Sequence, residues 1–294
     1  MTAGKMTDQG VQFMPISGTT EFVGVIGDPV AHSLSPRLHN RAYAALGVDM
    51  RYGAFSVPVG QVHAAILGAR ALGFRGLSVT TPHKDEAARL SDQRSNDVVL
   101  LEAANTIVFL SSVAVAESTD GQGLIDDLAI NRDFSTSDKR CVVLGAGGAA
   151  RAVVLALARA GASEVIVVNR SEKRGNEAIA VAPQVARLGS LGDVAAAALV
   201  VNATSLGLQQ GTGESARDDA RKLADSLHSG QLAVDLSYQP EKPLFLEIAE
   251  QRGAAIRNGL GMLVHQAAAQ VRLFTGFDAP VDEMWSELRE FRRS

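Results

Sequence analysis

The chain has 294 residues, of which 46% are hydrophobic and 20% charged, values typical of a globular protein that is long enough for two domains. Its formal net charge of -4 at pH 7 argues against broad nucleic-acid binding, which needs a concentrated positive face. The sequence contains no run of about 20 apolar residues, so we expect no membrane span.

Apolar runs alternate with segments of helical period in the first part of the chain. The predicted elements are a strand at 22–26, a helix from Ser35 or Pro36 to Ala45, a strand at 52–57, a helix at 59–72, a strand at 76–80, a helix from Pro82, and a hairpin of strands at 106–110 and 113–116. This order predicts a mostly parallel sheet with right-handed crossovers. Residues 1–20 lack the apolar stretch of a secretory signal and are interpreted as a loose leader.

A second series of the same kind follows a polar stretch at 131–139 that we interpret as a linker. It comprises strands at 140–144, 165–169, 198–203 and 232–236, a helix at 149–160, a variable loop at 209–219 and helices from Leu260 to the end. The single cysteine, Cys141, lies in one of these apolar runs, which favours a buried thiol and a reducing cytoplasm. The sequence therefore predicts an α/β protein with two domains.

The strongest local motif is Gly145-Ala146-Gly147-Gly148-Ala149-Ala150, between a predicted strand and an alanine-rich helix. In this context the pattern G-x-G-x-x-G/A is typical of dinucleotide binding. Gly145 permits the tight turn, Gly147 lets the backbone approach a pyrophosphate, and Ala150 allows the helix to pack closely on the strand. The phosphates would bind the free N–H groups at the helix N-terminus. A purely structural glycine turn is the alternative that this context disfavours.

The end of the next strand indicates which dinucleotide binds. NAD-binding versions carry an acid about 20 residues after the glycine loop, to bind the ribose 2′-hydroxyl. Here the strand ends in Asn169-Arg170-Ser171, and Lys173 and Arg174 follow. Such cations suit the 2′-phosphate of NADP, so the sequence favours NADP over NAD. The alternative is a solvated basic turn. Glu172 is an acidic residue in the same turn and argues against the preference for NADP.

Polar motifs follow the strands of the first domain, where open α/β sheets collect ligands. They are Ser33-Leu-Ser35-Pro36, Ser78-Val-Thr80-Thr-Pro82-His-Lys84, Ala104-Asn105-Thr106 and Ser118-Thr-Asp120-Gly121. Further motifs are Asn202-Ala-Thr204-Ser-Leu-Gly207, Asp235-Leu-Ser-Tyr238-Gln-Pro240 and Gly259-Leu-Gly261-Met262-Leu-Val-His-Gln266. In order and spacing this set resembles the motifs of the shikimate dehydrogenase family, from about residue 22 to residue 270. It departs at Ser78 and Ser118, where family members often carry asparagine.

The resemblance implies an NADP(H)-dependent oxidoreductase that acts on a CH-OH group and reduces 3-dehydroshikimate to shikimate, a step of chorismate and aromatic amino acid biosynthesis. It implies a substrate domain of residues 1–122 plus 259–294, to which the C-terminal helices return so that Gln266 reaches the substrate. Residues 123–258 would form a Rossmann domain.

Carried over position by position, the resemblance also implies the site residues. Lys84 and Asp120 would be the catalytic pair. The substrate would be bound by Ser33, Ser35 and Tyr238 at its carboxylate and by Thr80, Asn105, Asp120 and Gln266 at its ring hydroxyls. The cofactor pyrophosphate would be bound by Gly145, Ala146, Gly147, Gly148 and Ala149. The adenosine phosphate would be bound by Asn169, Arg170, Ser171 and Arg174. The nicotinamide would lie at Gly259 and Met262, and Thr204 would also bind the cofactor.

The chemistry of ketone reduction agrees with a lysine at the reacting carbon. Negative charge builds on the ketone oxygen as hydride arrives, and a positioned cationic acid stabilises it. In the reverse direction Lys84 must act as a base, so alcohol oxidation should favour alkaline pH. For Ser35 the alternative role is helix capping ahead of Pro36. The histidines have no metal-ligand spacing and are interpreted as structural, so we expect no metal.

Two other functions stay open from the sequence. One is a relative that acts on quinate or an aminoshikimate, or a slow paralogue. The other is a nucleotide-binding regulator of the same fold that has lost catalysis, although retention of both Lys84 and Asp120 argues against it. The expected partners are a small-molecule substrate and, in a homodimer, a second copy of the chain.

Overall fold

A computed structural model of the chain describes residues 15–111, 113–132, 134–204 and 214–292. It divides into two compact units, one made of the chain up to Thr119 together with Val264–Ser294, the other of Asp120–Leu263. The sequence predicted domain limits at 122 and 259. Most of the predicted leader and the first part of the predicted loop at 209–219 lie outside the described residues.

The first unit is built on a sheet with helices before and after its strands. Its elements up to Thr119 are β1 (Glu21–Gly27), α1 (Ser35–Leu46), β2 (Met50–Ser56), α2 (Val62–Ala71), β3 (Gly76–Val79), α3 (Lys84–Leu90), β4 (Gln93–Arg94), α4 (Asn96–Leu101), β5 (Thr106–Leu110) and β6 (Val113–Glu117). The strand order is β2-β1-β3-β5-β6-β4. Strand β1 pairs in parallel with β2 and β3, whereas β5 is antiparallel to both β3 and β6. The mostly parallel sheet and the hairpin are confirmed.

The second unit contains a fully parallel sheet. Its elements are α5 (Asp120–Arg132), β7 (Arg140–Leu144), α6 (Gly148–Arg159), β8 (Glu164–Val168), α7 (Glu172–Ile179), β9 (Ala186–Leu188), a 3-10 helix (Leu191–Ala196), β10 (Leu199–Asn202), α8 (Glu214–Ala224), β11 (Leu232–Asp235), α9 (Leu244–Gln251) and β12 (Ala255–Arg257). The strand order is β12-β11-β10-β7-β8-β9, the doubly wound order of dinucleotide-binding domains. The predicted α/β fold with a Rossmann domain is confirmed.

Burial explains why the central strands form. Cys141–Leu144 of β7 and Leu199–Val201 of β10 are completely buried, as expected for parallel strands that are covered on both faces. Cys141 is a free buried thiol, and burial raises its pKa to about 12. The structural interpretation of this residue is confirmed.

Two helices close the chain, α10 (Leu260–Thr275) and α11 (Val281–Phe291). Helix α11 packs on α1, where Arg37 and Arg41 form ion pairs with Glu287 and Glu283 at 3.1 and 2.9 Å. The end of the chain is therefore part of the first unit.

Several predicted boundaries are wrong for local reasons. The helix expected from Pro82 begins at Lys84, because Pro82 lies in a turn closed by a hydrogen bond from the His83 N–H to the Thr80 carbonyl at 3.0 Å. The helix expected at 59–72 is shorter, Val62–Ala71. Where the loop was expected to reach Asp219, α8 begins at Glu214.

Candidate functional site

The serine pair lies at the start of α1. The Ser33 Oγ accepts a hydrogen bond from the Ser35 N–H at 3.2 Å, which ties the turn to the helix. Ser35 is buried and Ser33 half-buried. Helix α1 has no side-chain cap, so the capping role considered for Ser35 is wrong. The structure thus places two serine hydroxyls at the N-terminal turn of α1.

The loop after β3 carries Thr80 and Lys84. The Thr80 N–H donates to the Ile26 carbonyl at 2.9 Å, and a Cβ on Gly27 would lie 2.4 Å from the Thr80 Cγ2, so only glycine fits beside it. Half-buried Lys84 opens α3, and its carbonyl accepts a hydrogen bond from the Ala104 N–H at 3.0 Å. These contacts hold Lys84 beside the start of β5.

Two buried amides meet at the start of β5. The Asn105 Nδ2 donates to the Thr119 Oγ1 at 2.8 Å and to the Gln266 Oε1 at 3.3 Å. The Asn105 Oδ1 accepts from the Thr119 N–H at 2.9 Å and from the Thr106 Oγ1 at 3.0 Å. The structure thus brings together Asn105 and Gln266, two residues that the sequence assigned to the same substrate.

Gln270 is a buried residue of this region that sequence analysis missed. Its Oε1 accepts from the Ser78 Oγ at 2.8 Å and lies 3.2 Å from the His39 Nε2. Its Nε2 donates to the Thr106 Oγ1 at 2.9 Å and to the Asn105 carbonyl at 3.3 Å. The signal was available, because Gln270 lies one helical turn after the predicted ligand on α10 and so shares its face.

His39 occupies the same network and is neutral. The Gln270 Oε1 can only accept, so the proton lies on the His39 Nε2, and the Nδ1 accepts from the Tyr43 hydroxyl at 3.2 Å. Burial lowers the pKa of His39 to about 3, although the hydrogen bond to Gln270 acts the other way. The ring stacks on Tyr52 with centroids 4.0 Å apart. His39 is therefore structural, as the sequence analysis predicted.

The glycine loop of the second unit follows β7. Gly145 has a φ of +106°, and a Cβ there would lie 3.0 Å from the Ala203 carbonyl oxygen. A Cβ on Gly147 would meet nothing within 4 Å, so this backbone faces open space. Helix α6 starts at Gly148 without a side-chain cap, and Ala150 is fully buried. The first N–H groups of α6 therefore suit a pyrophosphate.

The basic turn lies between β8 and α7. The Asn169 Nδ2 donates to the Ser171 carbonyl at 2.9 Å, and the Ser171 Oγ accepts from the Arg174 N–H at 3.4 Å, which caps α7. Arg170 and Arg174 are exposed, and within the part of the chain that the structure describes neither guanidinium forms an ion pair. Two free cations at this strand end fit the 2′-phosphate of NADP.

A buried polar network joins the ends of β10 and β11. The Asn202 Oδ1 accepts from the Thr204 Oγ1 at 2.7 Å, and its Nδ2 donates to the Asp235 carboxylate at 2.7 Å. Asp235 also accepts from the Ser237 N–H at 2.9 Å and Oγ at 2.6 Å. Burial raises the pKa of Asp235, although the bonds from Ser237 and Asn202 act the other way. The network holds Thr204 next to the glycine loop. Half-buried Tyr238 is the residue that follows Ser237 of this network.

The segment after β12 also requires glycine. A Cβ on Gly259 would lie 2.0 Å from the Leu236 carbonyl oxygen, and its N–H donates to the Ser237 carbonyl at 2.9 Å. Met262 is 8% exposed at the start of α10. Gly259, one of the two predicted nicotinamide-side residues, is thus held close to the end of β11.

Asp120 is the first residue of α5 and is 7% exposed. The next residue, Gly121, lets α5 approach α6, since a Cβ there would lie 2.4 Å from the Ala152 carbonyl oxygen. Lys84 and Asp120 belong to different units, and their pairing stays a prediction.

Among the described residues no group of three or more His, Cys, Asp or Glu side chains is arranged to hold a metal ion. In the same residues no helix combines the length and the apolar character that crossing a membrane requires.

Three family models match the chain in succession. Residues 25–107 match the shikimate dehydrogenase substrate binding domain, residues 127–237 match shikimate / quinate 5-dehydrogenase, and residues 259–289 match the shikimate 5'-dehydrogenase C-terminal domain. The matches cover both units and most of the motifs described above, whereas Ser118–Gly121 and Tyr238–Pro240 lie between the matched ranges.

Similar proteins span almost the whole chain. The shikimate dehydrogenase (NADP(+)) of Moorella thermoacetica is 41% identical over 285 residues, 94% of this chain and 95% of its own. The structure of shikimate 5-dehydrogenase from Thermus thermophilus in complex with NADP(H) and shikimate is 31% identical with a TM-score of 0.80, over 92% of this chain and 99% of that chain. The corresponding enzyme of Listeria monocytogenes, in complex with shikimate and NAD, is 32% identical with a TM-score of 0.82, over 97% and 100%.

The resemblance inferred from the motifs is confirmed by these matches, in fold and along the full length of the sequence. The chain belongs to the shikimate dehydrogenase family.

Proposed function

We propose that this chain is an NADP-dependent oxidoreductase that interconverts 3-dehydroshikimate and shikimate. The observation that carries the proposal is the 41% identity, over 94% of the chain, to a relative named shikimate dehydrogenase (NADP(+)). The identity spans both the buried amide cluster of the first unit and the glycine loop of the second. A quinate- or aminoshikimate-specific enzyme and a non-catalytic regulator are the competing outcomes.

In this proposal the substrate is bound mostly through uncharged donors and acceptors, with Asp120 as the charged group. Ser33 and Ser35, with Tyr238, bind the carboxylate, since hydroxyls and an N-terminal turn suit an anion. Thr80, Asn105, Asp120 and Gln266 bind the ring hydroxyls. The support is that Asn105 and Gln266 already meet at 3.3 Å in a buried cluster, where amides can exchange partners with a hydroxyl ligand.

NADPH fits the second unit by the chemistry of its residues. Gly145, Ala146, Gly147, Gly148 and Ala149 would hold the pyrophosphate at the uncapped start of α6. Asn169, Arg170, Ser171 and Arg174 would hold the 2′-phosphate, Gly259 and Met262 would line the nicotinamide side, and Thr204 would also contact the cofactor. When bound, the cofactor supplies the hydride.

The acid–base role falls to Lys84 with Asp120. The ammonium donates a proton to the ketone oxygen as negative charge develops there, and the Asp120 carboxylate orients the amine and binds the neighbouring hydroxyl. In the oxidative direction the amine must first lose its proton. The oxidation of shikimate should therefore have a more alkaline optimum than the reduction, and identical pH profiles in both directions would contradict this role.

The test of the function is steady-state oxidation of shikimate and of quinate, each with NADP+ and with NAD+. We expect kcat/KM with shikimate and NADP+ to exceed each other combination by about tenfold or more, because one missing polar contact or one charge-assisted bond is worth at least that factor. Turnover of quinate alone would identify the related activity. NADP+ binding without turnover of either substrate would identify the regulator.

The variant Lys84→Ala tests the mechanism. Loss of a general acid lowers kcat by about 10²–10⁴. Arg89→Ala, at the exposed last turn of the same helix, is the matched control and should keep the wild-type rate. A wild-type kcat in Lys84→Ala would remove this lysine from the mechanism.

A cytoplasmic location and a homodimer, both predicted from the sequence, also remain proposals.

A further inference from the structure

Helix α5 carries a second buried acid besides Asp120. Asp127 follows Asp120 by seven residues, two helical turns, so both side chains project from one face. Asp127 is 1% exposed, and its place in the interior is independent of the substrate and cofactor positions assigned above.

Asp127 forms a bidentate ion pair with Arg257, the last residue of β12. The Arg257 Nε donates to the Asp127 Oδ2 at 2.8 Å, and the Nη2 donates to the Oδ1. The arginine side chain is 17% exposed. Two parallel bonds between a planar guanidinium and a carboxylate define direction as well as distance, which a single apolar contact does not.

The first turn of α10 packs directly on the same carboxylate. A Cβ on Gly261 would lie 1.8 Å from the Asp127 Oδ1, so glycine alone allows the approach. Arg257 and Gly261 flank Gly259 in sequence and precede Met262. Helix α5 is thus attached at two points, to α6 through Gly121 and to the segment 257–262 through Asp127.

We propose that the Asp127–Arg257 pair is a positioning device for hydride transfer, which holds the Asp120 helix in register with the Gly259–Met262 segment. This inference rests on the proposed function, in which Asp120 lies at the reacting carbon and Met262 beside the nicotinamide. All of these residues belong to the second unit. A misplacement of about 1 Å between reacting groups costs about 100-fold in rate, so a rigid link here governs kcat.

The variant Arg257→Met removes the link. We expect kcat for dehydroshikimate reduction to fall about 10- to 100-fold, since the reacting groups lose their register. The KM for NADPH should change less than about threefold, because the glycine loop and the basic turn are untouched. With NADPH deuterated at the transferred position, the isotope effect on kcat should rise, since hydride transfer becomes slower than product release. Arg257→Lys keeps the charge and one bond and should have an intermediate kcat.

The matched control is Arg252→Met, which breaks the exposed Arg252–Asp225 pair at 2.7 Å in the same unit. It should leave kcat and the isotope effect at wild-type values. Thermal melting of each variant reports folding. If Arg257→Met does not fold, the double variant Asp127→Asn with Arg257→Gln replaces it, because this variant buries no unpaired charge. It should show the same lower kcat and larger isotope effect.

The two proposals fail in different ways. A wild-type protein that turns over neither substrate would overturn the proposed function. An active wild type, with kcat and isotope effect unchanged in the folded double variant, would overturn the positioning role and leave the proposed function intact.

Discussion

His39 shows how one buried residue makes the first unit sensitive to acid. Its pKa of about 3 in the folded chain lies below the ordinary histidine value of 6.5, because burial disfavours the charged ring. Its contribution to stability is therefore fully present above pH 6.5 and is lost as the pH falls and the unfolded chain takes up the proton. Linkage gives a loss of about 2 kcal/mol between pH 8 and pH 5.

The variant His39→Gln tests this contribution. It should be less stable than wild type at pH 8, because the stacking on Tyr52 and the bond from Tyr43 are lost, yet it should lose less stability on acidification. Urea unfolding at pH 8 and pH 5 measures both effects. The exposed His63→Gln is the control and should follow wild type. If the free energy of unfolding falls equally in wild type and His39→Gln between pH 8 and pH 5, groups other than His39 cause the acid sensitivity.

At Ser78 the sequence was interpreted as departing from the family's motif, and the structure shows what the serine contacts. The Ser78 Oγ donates to the Gln270 Oε1 at 2.8 Å in a fully buried position. The short hydroxyl of Ser78 is a sufficient donor there, because the Gln270 Nε2 already donates to the Asn105 carbonyl and to the Thr106 Oγ1. The substitution therefore affects the support of the site more than its lining.

At the scale of elements, the turn between β8 and α7 determines the expected cofactor preference. The double variant Arg170→Ala with Arg174→Ala should lower kcat/KM for NADPH by about 100-fold or more, since each charge-assisted bond to a phosphate is worth about 1.5–3 kcal/mol. The kcat/KM for NADH should stay within about twofold of wild type, because NADH has no 2′-phosphate to bind these cations.

The control for this variant is Arg221→Ala, an exposed arginine of α8 in the same unit. It should leave both coenzyme efficiencies unchanged. Equal losses with NADPH and NADH in the double variant would show that the turn contributes to folding or to general affinity, and not to the choice between coenzymes.

The elements that the sequence predicted well are those specified by their own residues. Strand β7 is a continuous apolar run, and Gly145 must adopt a positive φ, so both are readable locally. The parallel order follows from alternation of strands and helices. Helix α5 was missed because Asp126 and Asp127 interrupt its apolar pattern. Asp127 is nevertheless buried, since it pairs with Arg257, 130 residues away in sequence.

The parts of the site that were not predicted depend on contacts distant in sequence. Asn105 and Gln266 were proposed from family motifs, but no local pattern shows that their amides meet across 161 residues. Gln270, Ser78 and His39 were not assigned to one network for the same reason. Such buried polar sets are defined by which elements pack together, so a propensity argument made segment by segment does not detect them.

For the whole molecule, we propose that residues 1–122 plus 259–294 and residues 123–258 behave as two domains. A calorimetric scan should then show two transitions, and NADP+ at 100 times its Kd should stabilise mainly the dinucleotide-binding domain, by about 2.7 kcal/mol. Shikimate alone should raise mainly the other transition. A single transition that both ligands raise equally would show that the molecule unfolds as one cooperative unit.

The Gln270 network has a consequence for biogenesis. Ser78, Thr106 and His39 are synthesised early, but the amide that satisfies them emerges only after the whole of Asp120–Leu263 has left the ribosome. All six strands of the first sheet precede Asp120, so they can pair before Gln270 is made, whereas the buried polar groups of His39, Ser78 and Thr106 reach their final hydrogen bonds only afterwards. We therefore expect the amino-terminal unit to complete its polar interior last, at a time when the nucleotide domain is already able to fold.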